Sequence, residues 1–452
     1  MWFRRDLRLG DNPAWAAATR RHRRVTALYV LDERLLAAAG PTRRRQHLAE
    51  LHAFDRTLAA HGGRLLVRRG DPASAVAGEA ARLGAARVHW NADVTPYATR
   101  RDAAVRAALG AEADIHWGNL VLRPGSVHTP AGRVSRVFGP FWRRWRTAAW
   151  DPWPEPGDAA VLGDPGDGLP ALDGDAPRPA GEDAAHEALQ RFLAGPVDRY
   201  RTGRDDLAQA GTAGLSVALR FGTLSPRSVV EEVGDAGEDR RAFVRQLAWR
   251  DWYAHLLREI PALAGHALNP ALDHIAWRDD PEQVAAWQQG RTGYPLVDAG
   301  MRELAVTGTM HNRVRMVTAS FLVKDLLVDW RVGERYFRRH LIDGDVAQNV
   351  GNWQWVAGTG PDAAPYFRVL NPVTQSRVHD PDGHYLRRWL PELDALGSSA
   401  IQAPWEAGPL ELAAAGIVLG TTYPEPIVEH ADARIRAMDA HHRARLHAAG
   451  EP

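Results

Sequence analysis

Two acids, two asparagines and two tryptophans fall within the thirteen residues Asp343-Gly344-Asp345-Val346-Ala347-Gln348-Asn349-Val350-Gly351-Asn352-Trp353-Gln354-Trp355. Buried polar groups need partners and an unpaired carboxylate is costly, so such density is hard to bury without a purpose. The alternative is structural: Asp343 caps the next helix and the tryptophans belong to the core. Asp-x-Asp without further ligands nearby is weak evidence for a metal, and none is assigned.

Three other segments have comparable chemistry. In Gly308-Thr309-Met310-His311-Asn312-Arg313-Val314-Arg315-Met316, Asn312 and Met316 lie one helical turn apart and share a face, with Arg313 and Arg315 beside them. That suits a planar polar ligand next to a basic rim, and equally an ordinary amphipathic helix. In Gln246-Leu247-Ala248-Trp249-Arg250-Asp251-Trp252-Tyr253, one face carries Gln246, Trp249 and Arg250, while Trp252 lies well off it. Aromatics beside arginine can stack on bases, or simply pack a core. Tyr200 and Arg204 precede Thr212-Ala213-Gly214-Leu215-Ser216, whose hydroxyls and backbone N–H groups at a helix start suit a phosphate. A plain N-cap is the alternative there.

The elements that must position these residues divide the chain in two. Apolar runs at residues 25–31, 64–68 and 86–90 read as buried strands. Between them, residues 43–61 and 72–83 have helical spacing with glycine after each. Strands alternating with helices imply a doubly wound parallel sheet with helices on both faces. The first strand, at the N-terminus itself, reads one or two residues short. Residues 151–182 are rich in Pro, Gly and Asp without periodicity, which is the composition of a linker. From about 183 to 440 the patterns are helical, with caps at Ser225-Pro226 and Asp279-Asp280-Pro281. The expected division is an α/β domain over 1–125, a linker region over 126–195 and an all-α domain over 196–445.

Composition narrows the chemistry. The 452 residues include no cysteine, which excludes disulfides, zinc–cysteine sites, iron–sulfur ligation and thiol nucleophiles. No stretch has the length of a spanning helix and the N-terminus lacks an apolar signal core, so a cytosolic protein is expected. The net charge of +1 conceals +14 over residues 1–150 and a net acidic remainder, so an anionic partner is not excluded. Lys324 is the only lysine, a usage that fits a GC-rich genome. Tryptophan occurs 17 times, more than a core of this size needs.

Taken in order, these segments resemble the photolyase/cryptochrome family, and within it the microbial class I cyclobutane pyrimidine dimer photolyases. The resemblance covers nearly the whole chain. It includes Trp2-Phe3-Arg4-Arg5-Asp6-Leu7-Arg8-Leu9-Gly10-Asp11-Asn12-Pro13, Phe221-Gly222-Thr223-Leu224-Ser225-Pro226-Arg227, Gly293-Tyr294-Pro295-Leu296-Val297-Asp298 and Asn371-Pro372-Val373-Thr374-Gln375.

The resemblance implies an antenna-binding α/β domain and a helical domain holding FAD. FAD contacts are expected from Tyr200, Thr212, Ala213, Gly214, Leu215, Ser216, Arg250, Asn312, Asp343, Asp345 and Asn349. Asn349 falls where the family places the residue facing flavin N5, and asparagine there favours a repair enzyme over a photosensor. Trp353, Trp330 and Trp277 match the family's electron-transfer triad. Trp249 and Trp355 match aromatic walls of a pocket for a flipped-out dimer. Gln246, Asn312 and Met316 match lesion-facing positions, and Arg204, Arg313 and Gln375 match DNA contacts. The implied activity is light-dependent repair of pyrimidine dimers in damaged DNA by electron transfer from photoexcited FADH⁻. A cryptochrome-like photosensor and a six-four photolyase are the alternatives. The resemblance also implies a monomer without an obligate protein partner, in the bacterial cytoplasm and on the nucleoid through DNA.

Three departures qualify the expectation. Gln246 stands where these enzymes commonly carry Glu, and it has neither carboxyl proton nor charge. Ala213 replaces a hydroxyl of the phosphate loop, which predicts weaker FAD retention. Ala264-Gly265 lack the Cys-Lys step of folate-using relatives, so the expected second chromophore is an 8-HDF-type deazaflavin rather than folate, with an empty pocket as the alternative.

Overall fold

The computed structural model describes every residue except Asp151, Ala210, 363–367 and 450–452. Asp151, the first residue of the Pro/Gly/Asp-rich segment 151–182, therefore lies outside the described residues. The chain forms two compact units. The first comprises Met1–Tyr200, Thr212–Ala264 and Ile342–Gln348; the second comprises Arg201–Gly211, Gly265–Leu341 and Asn349–Pro452.

Among its described residues the first unit contains seven short strands: β1 (Trp2–Phe3), β2 (Arg24–Val25), β3 (Ala27–Leu31), β4 (Leu65–Arg69), β5 (Arg87–Asn91), β6 (Glu112–His116) and β7 (Ala160–Val161). A parallel sheet runs β1-β3-β4, and β5-β6 and β2-β7 form parallel pairs. Successive strand residues serve opposite faces. Phe3, Ala27, Tyr29, Leu31, Leu65 and Val67 pack with Trp15, Leu51, Phe54 and Leu58 of helices Pro13–Arg21 and Pro41–Ala60. Trp2, Leu28, Val30 and Leu66 pack with Val76, Val88, Trp90 and Val105, two of them from helices Pro72–Arg82 and Pro96–Ala108. Burial on both faces explains why these strands read as continuous apolar runs.

Strand β6 gave no such signal. Its sequence, Glu-Ala-Asp-Ile-His, is half-exposed and polar on alternate positions, as an edge strand allows. The Pro/Gly-rich segment is also ordered against the α/β layers. β7 pairs with β2, Gly157 N–H donates to Thr19 Oγ1 at 2.8 Å, and Arg68 and Arg82 pair with Asp167 and Asp164 at 3.2 and 3.0 Å. Backbone pairing needs no apolar periodicity, so composition alone could not show it. Helix Phe138–Thr147 buries Phe138, Phe141 and Trp145 and packs on helix Gly237–Glu259.

The second unit is helical among its described residues. The expected cap in this unit is present: Asp280 accepts from Gln283 N–H ahead of Pro281–Gln289. The matching cap in the first unit is Ser225, which accepts from Arg227 and Ser228 ahead of Pro226–Val233. Further helices in the second unit are Pro295–Thr307, Asn312–Ser320, Trp330–His340 and Pro372–His379, with a π-helical turn at Phe321–Asp325. The helix Val346–Ala357 contributes its start to the first unit and the rest to the second.

Candidate functional site

The motifs that carry the resemblance are largely scaffolding. Leu7 N–H donates to the Phe221 carbonyl at 3.1 Å, and the buried Arg8 guanidinium donates to the carbonyls of Gly222 and Gly118 at 2.9 and 2.7 Å. Gly222 has φ +69°, and a Cβ there would lie 2.0 Å from the Arg5 carbonyl oxygen, so only glycine fits. In the second unit Asp298 accepts from Thr292 N–H and hydroxyl, Gly293 N–H and Tyr423 hydroxyl. Asn371 caps its helix through Thr374 N–H at 3.0 Å. Gln375 is half-buried on that helix.

Within the first unit, Asp343-Gly344-Asp345 lies among arginines. Arg5 pairs with Asp345 and, at 3.1 Å, with Asp93. The Gly344 carbonyl accepts from Arg43 and Arg220, each at 2.8 Å. Burial opposes ionisation of Asp345, yet Arg5, Arg250 and Arg220 hold its carboxyl below the usual range. Burial, with Arg5 and Arg43 nearby, brings Arg220 down to about 9. Gln348 N–H donates to Asp345 Oδ1 at 3.1 Å, so Asp345, not Asp343, caps the helix that follows. Arg250 donates to the carbonyls of Asn119 and Leu219 at 2.6 and 3.1 Å. A small pocket is lined by Arg5, Asp93, Trp117, Arg250, Asp345 and Gln348.

The loop 212–216 leads into the six-residue helix Ser216–Phe221. Its N-cap is Leu215, and no side chain caps it, so the Thr212 and Ser216 hydroxyls are not cap acceptors. Thr212, Gly214 and Ser216 are exposed, Ala213 is half-buried, and Gly214 takes φ +64°. Tyr200 is buried against Phe192 and Phe243. On helix Gly237–Glu259, Trp249 stacks on Phe138 at 3.8 Å with ring planes 13° apart. Gln246 is half-buried and donates to the Ala242 carbonyl at 3.3 Å. Trp252, off that face, is buried and donates to the Ser135 carbonyl. A guanidinium, carboxylates, exposed hydroxyls and uncapped amides form a donor set that suits a dinucleotide with a diphosphate.

Within the second unit, one helix positions three of the expected residues. Trp330 opens Trp330–His340 and is buried. Trp353 packs edge-on to Phe337 of that helix, and a Cβ at Gly333 would lie 2.1 Å from Trp353 Cη2. Asn349 Nδ2 donates to the Glu334 carbonyl and carboxylate. Trp277 is half-buried, edge-on to His441 at 6.2 Å. Trp355 is half-buried. Asn312 is exposed, with Nδ2 3.8 Å from Met316 Sδ, so the two do share a face. Arg313 pairs with Asp205 at 2.7 Å, and Arg204 lies 3.8 Å from the same carboxylate. His311 caps this helix through Arg313 N–H, and burial brings its imidazole down to about 4.

Sequence reasoning missed Glu334, Gly333 and Arg5 as positioning residues. Glu334 follows Trp330 by one helical turn, a spacing that could have flagged it. Arg5 sits inside the quoted N-terminal motif with nothing local to mark its partner.

Family models match in both halves: DNA photolyase over residues 1–157, and the FAD binding domain of DNA photolyase over residues 243–443. A deoxyribodipyrimidine photo-lyase of Streptomyces griseus is 43% identical over 96% of this chain and 97% of its own length. A class III photolyase from Agrobacterium tumefaciens superposes with a TM-score of 0.91 at 37% identity, covering 98% of this chain and 97% of that one. A Synechocystis cryptochrome gives a TM-score of 0.87 at 29% identity, over 97% and 98% of the two chains. The chain belongs to the DNA photolyase family, and its helical half is the family's FAD-binding domain. No described helix is long and apolar enough to cross a membrane.

Proposed function

We propose that the chain is a light-dependent DNA lyase that splits cyclobutane pyrimidine dimers in damaged DNA. When bound, FAD would supply light-driven one-electron chemistry at this site. The chain's residues hold, orient and insulate. Arg250, Asp343 and Asp345 face polar parts of the cofactor, and Tyr200 and the 212–216 loop its phosphate end. Asn312 serves both cofactor and lesion. Trp353, Trp330 and Trp277 carry electrons inward, and Trp249 and Trp355 offer stacking surfaces to unpaired bases. Gln246 and Met316 face the lesion, and Arg204, Arg313 and Gln375 hold the DNA strand.

The observation that best supports repair is the Asn349–Glu334 pair. It keeps a neutral carboxamide in one orientation at the position the family sets beside flavin N5. A neutral amide neither donates a full proton nor adds charge there.

The finer assignments belong to the same proposal. Asn312, Met316 and Asn349 favour dimer repair; within it the reading is class I, with class III as the alternative. The second chromophore is an 8-HDF-type deazaflavin. The α/β antenna domain spans 1–125, the linker region 126–195 and the catalytic domain 196–445. The protein acts as a monomer, in the bacterial cytoplasm and on nucleoid DNA.

The test is blue-light repair of an oligonucleotide carrying one thymine dimer, using protein with FAD bound and reduced. Light-dependent loss of dimers is expected. Photoreduction without repair would instead favour a photosensor, and repair of a six-four product alone would favour that activity.

A further inference from the structure

The β5–β6 pair carries a second group of chemistry-bearing side chains, in the first unit and separate from every residue assigned above. Asp114 and His116 are two apart on β6 and therefore share a face. His89 of β5 stands directly opposite Asp114 in the parallel register. His89 Nδ1 lies 3.4 Å from Asp114 Oδ2, and His116 Nε2 lies 3.2 Å from Asp114 Oδ1. One donor atom from each of the three residues lies within 4.8 Å of the others. Both ring nitrogens are buried and lack a hydrogen-bond partner. Metal–ligand bonds of about 2.0–2.1 Å in tetrahedral geometry put neighbouring donors roughly 3.3–3.4 Å apart; the two histidine–carboxylate separations, each to its own oxygen of Asp114, are close to that, and the three donors together lie within 4.8 Å.

A fourth residue orients the first. His22, at the end of helix Pro13–Arg21, places Nε2 3.4 Å from His89 Nε2. A proton on His89 Nε2 directed at His22 leaves the Nδ1 lone pair facing Asp114, the arrangement by which a supporting group fixes a ligand's tautomer. Two cations also face the carboxylate: Arg21 at 3.3 Å and Arg87 at 3.8 Å from Asp114 Oδ2. The Arg21 side chain is about half-exposed and can turn to solvent when a cation arrives.

We propose that His89, Asp114 and His116 form a divalent transition-metal site, best matched to Zn²⁺, with a fourth position open to water. Two nitrogens and a carboxylate oxygen are borderline donors that suit this ion rather than Ca²⁺ or Mg²⁺. The ion would clip the half-exposed edge strand β6 to β5.

The test uses full-length, FAD-loaded protein stripped with a chelator and then titrated with Zn²⁺ by equilibrium dialysis. Saturable uptake of one ion per chain is expected, tighter than about 10 μM, as for a site with preformed ligands. His116→Gln and Asp114→Asn should each weaken it at least about tenfold, and His22→Ala by about tenfold. Zn²⁺ should raise the melting temperature of the wild type but not of His116→Gln. Should Asp114→Asn fail to fold, His116→Gln decides, because its half-exposed site tolerates an amide. No saturable uptake, or uptake equal in wild type and His116→Gln, overturns the assignment.

Discussion

Asn349 gives both hydrogens of its side-chain amide to Glu334, at 2.9 Å to the backbone carbonyl and 3.0 Å to Oε1. With both N–H groups committed, the direction of its carbonyl oxygen is set by the helix Trp330–His340 rather than by Asn349 itself. Glu334→Ala removes one of those acceptors and the 3.4 Å ion pair with Arg338. The expected cost is about 1–3 kcal/mol in urea unfolding. Repair yield per absorbed photon should fall, and Glu334→Gln, which keeps an acceptor, should recover most of both. Unchanged stability and repair in Glu334→Ala would count against the pair.

Gly333 is where Trp353 meets that same helix. Alanine there would put Cβ 2.1 Å from the Trp353 ring and 2.6 Å from Leu322 Cδ2. Gly333→Ala should destabilise the protein by about 1–3 kcal/mol through overpacking. If Trp353 carries electrons, flavin photoreduction in this variant should slow as well, measured by the decay of oxidised-flavin absorbance under blue light.

Trp330 is buried at the start of the helix, and a phenyl ring replaces much of its packing. Trp330→Phe should slow photoreduction severalfold or more, because phenylalanine is far harder to oxidise. Repair by chemically reduced enzyme should stay within about twofold of wild type. Loss of repair in that assay would remove Trp330 from the electron path.

Gln246 is half-buried and bonded only weakly to its own helix, at 3.3 Å. Gln246→Glu supplies an ionisable carboxyl that can share a proton with the lesion. Repair yield should rise, with the gain greatest at acidic pH, where the carboxyl is protonated. An unaltered yield across pH 5–8 would mean that this side chain does not touch the dimer.

Lys324 is 2% exposed in the π-helical turn, and burial pushes its ammonium from 10.5 down to about 7, against the pull of Asp325. Between pH 7 and 10.5 the unfolded chain holds a proton that the folded chain has released, so stability rises with pH. At and below pH 7 the penalty is fully present, up to about 5 kcal/mol. Lys324→Met should therefore be more stable than wild type at pH 6, with the gap narrowing toward pH 10. Denaturant midpoints at the two pH values check this, and a gap that does not change with pH would refute it.

Much of the architecture was legible from local pattern. Strands β3, β4 and β5 announced themselves as apolar runs because both sheet faces are buried. Ser225 and Asp280 marked helix starts because a cap is a contact between residues two or three apart. Strand β6 and the pairing of β7 were not legible, since edge and backbone contacts require no apolar side chain.

The site divides along the same line. Sequence alone determined which residue types could do the chemistry, and their order was specific enough to imply the family. Those motifs proved specific because the scaffold demands them: Gly222 lies against the Arg5 carbonyl, and Asp298 gathers four donors. Only the tertiary structure decided the partners. Arg5 and Asp345 are 340 positions apart, His89 and Asp114 are 25 apart, and nothing local to either residue encodes the other. Periodicity reports which side of an element is buried; it carries no information about which distant element arrives there, and these contacts depend on that arrival.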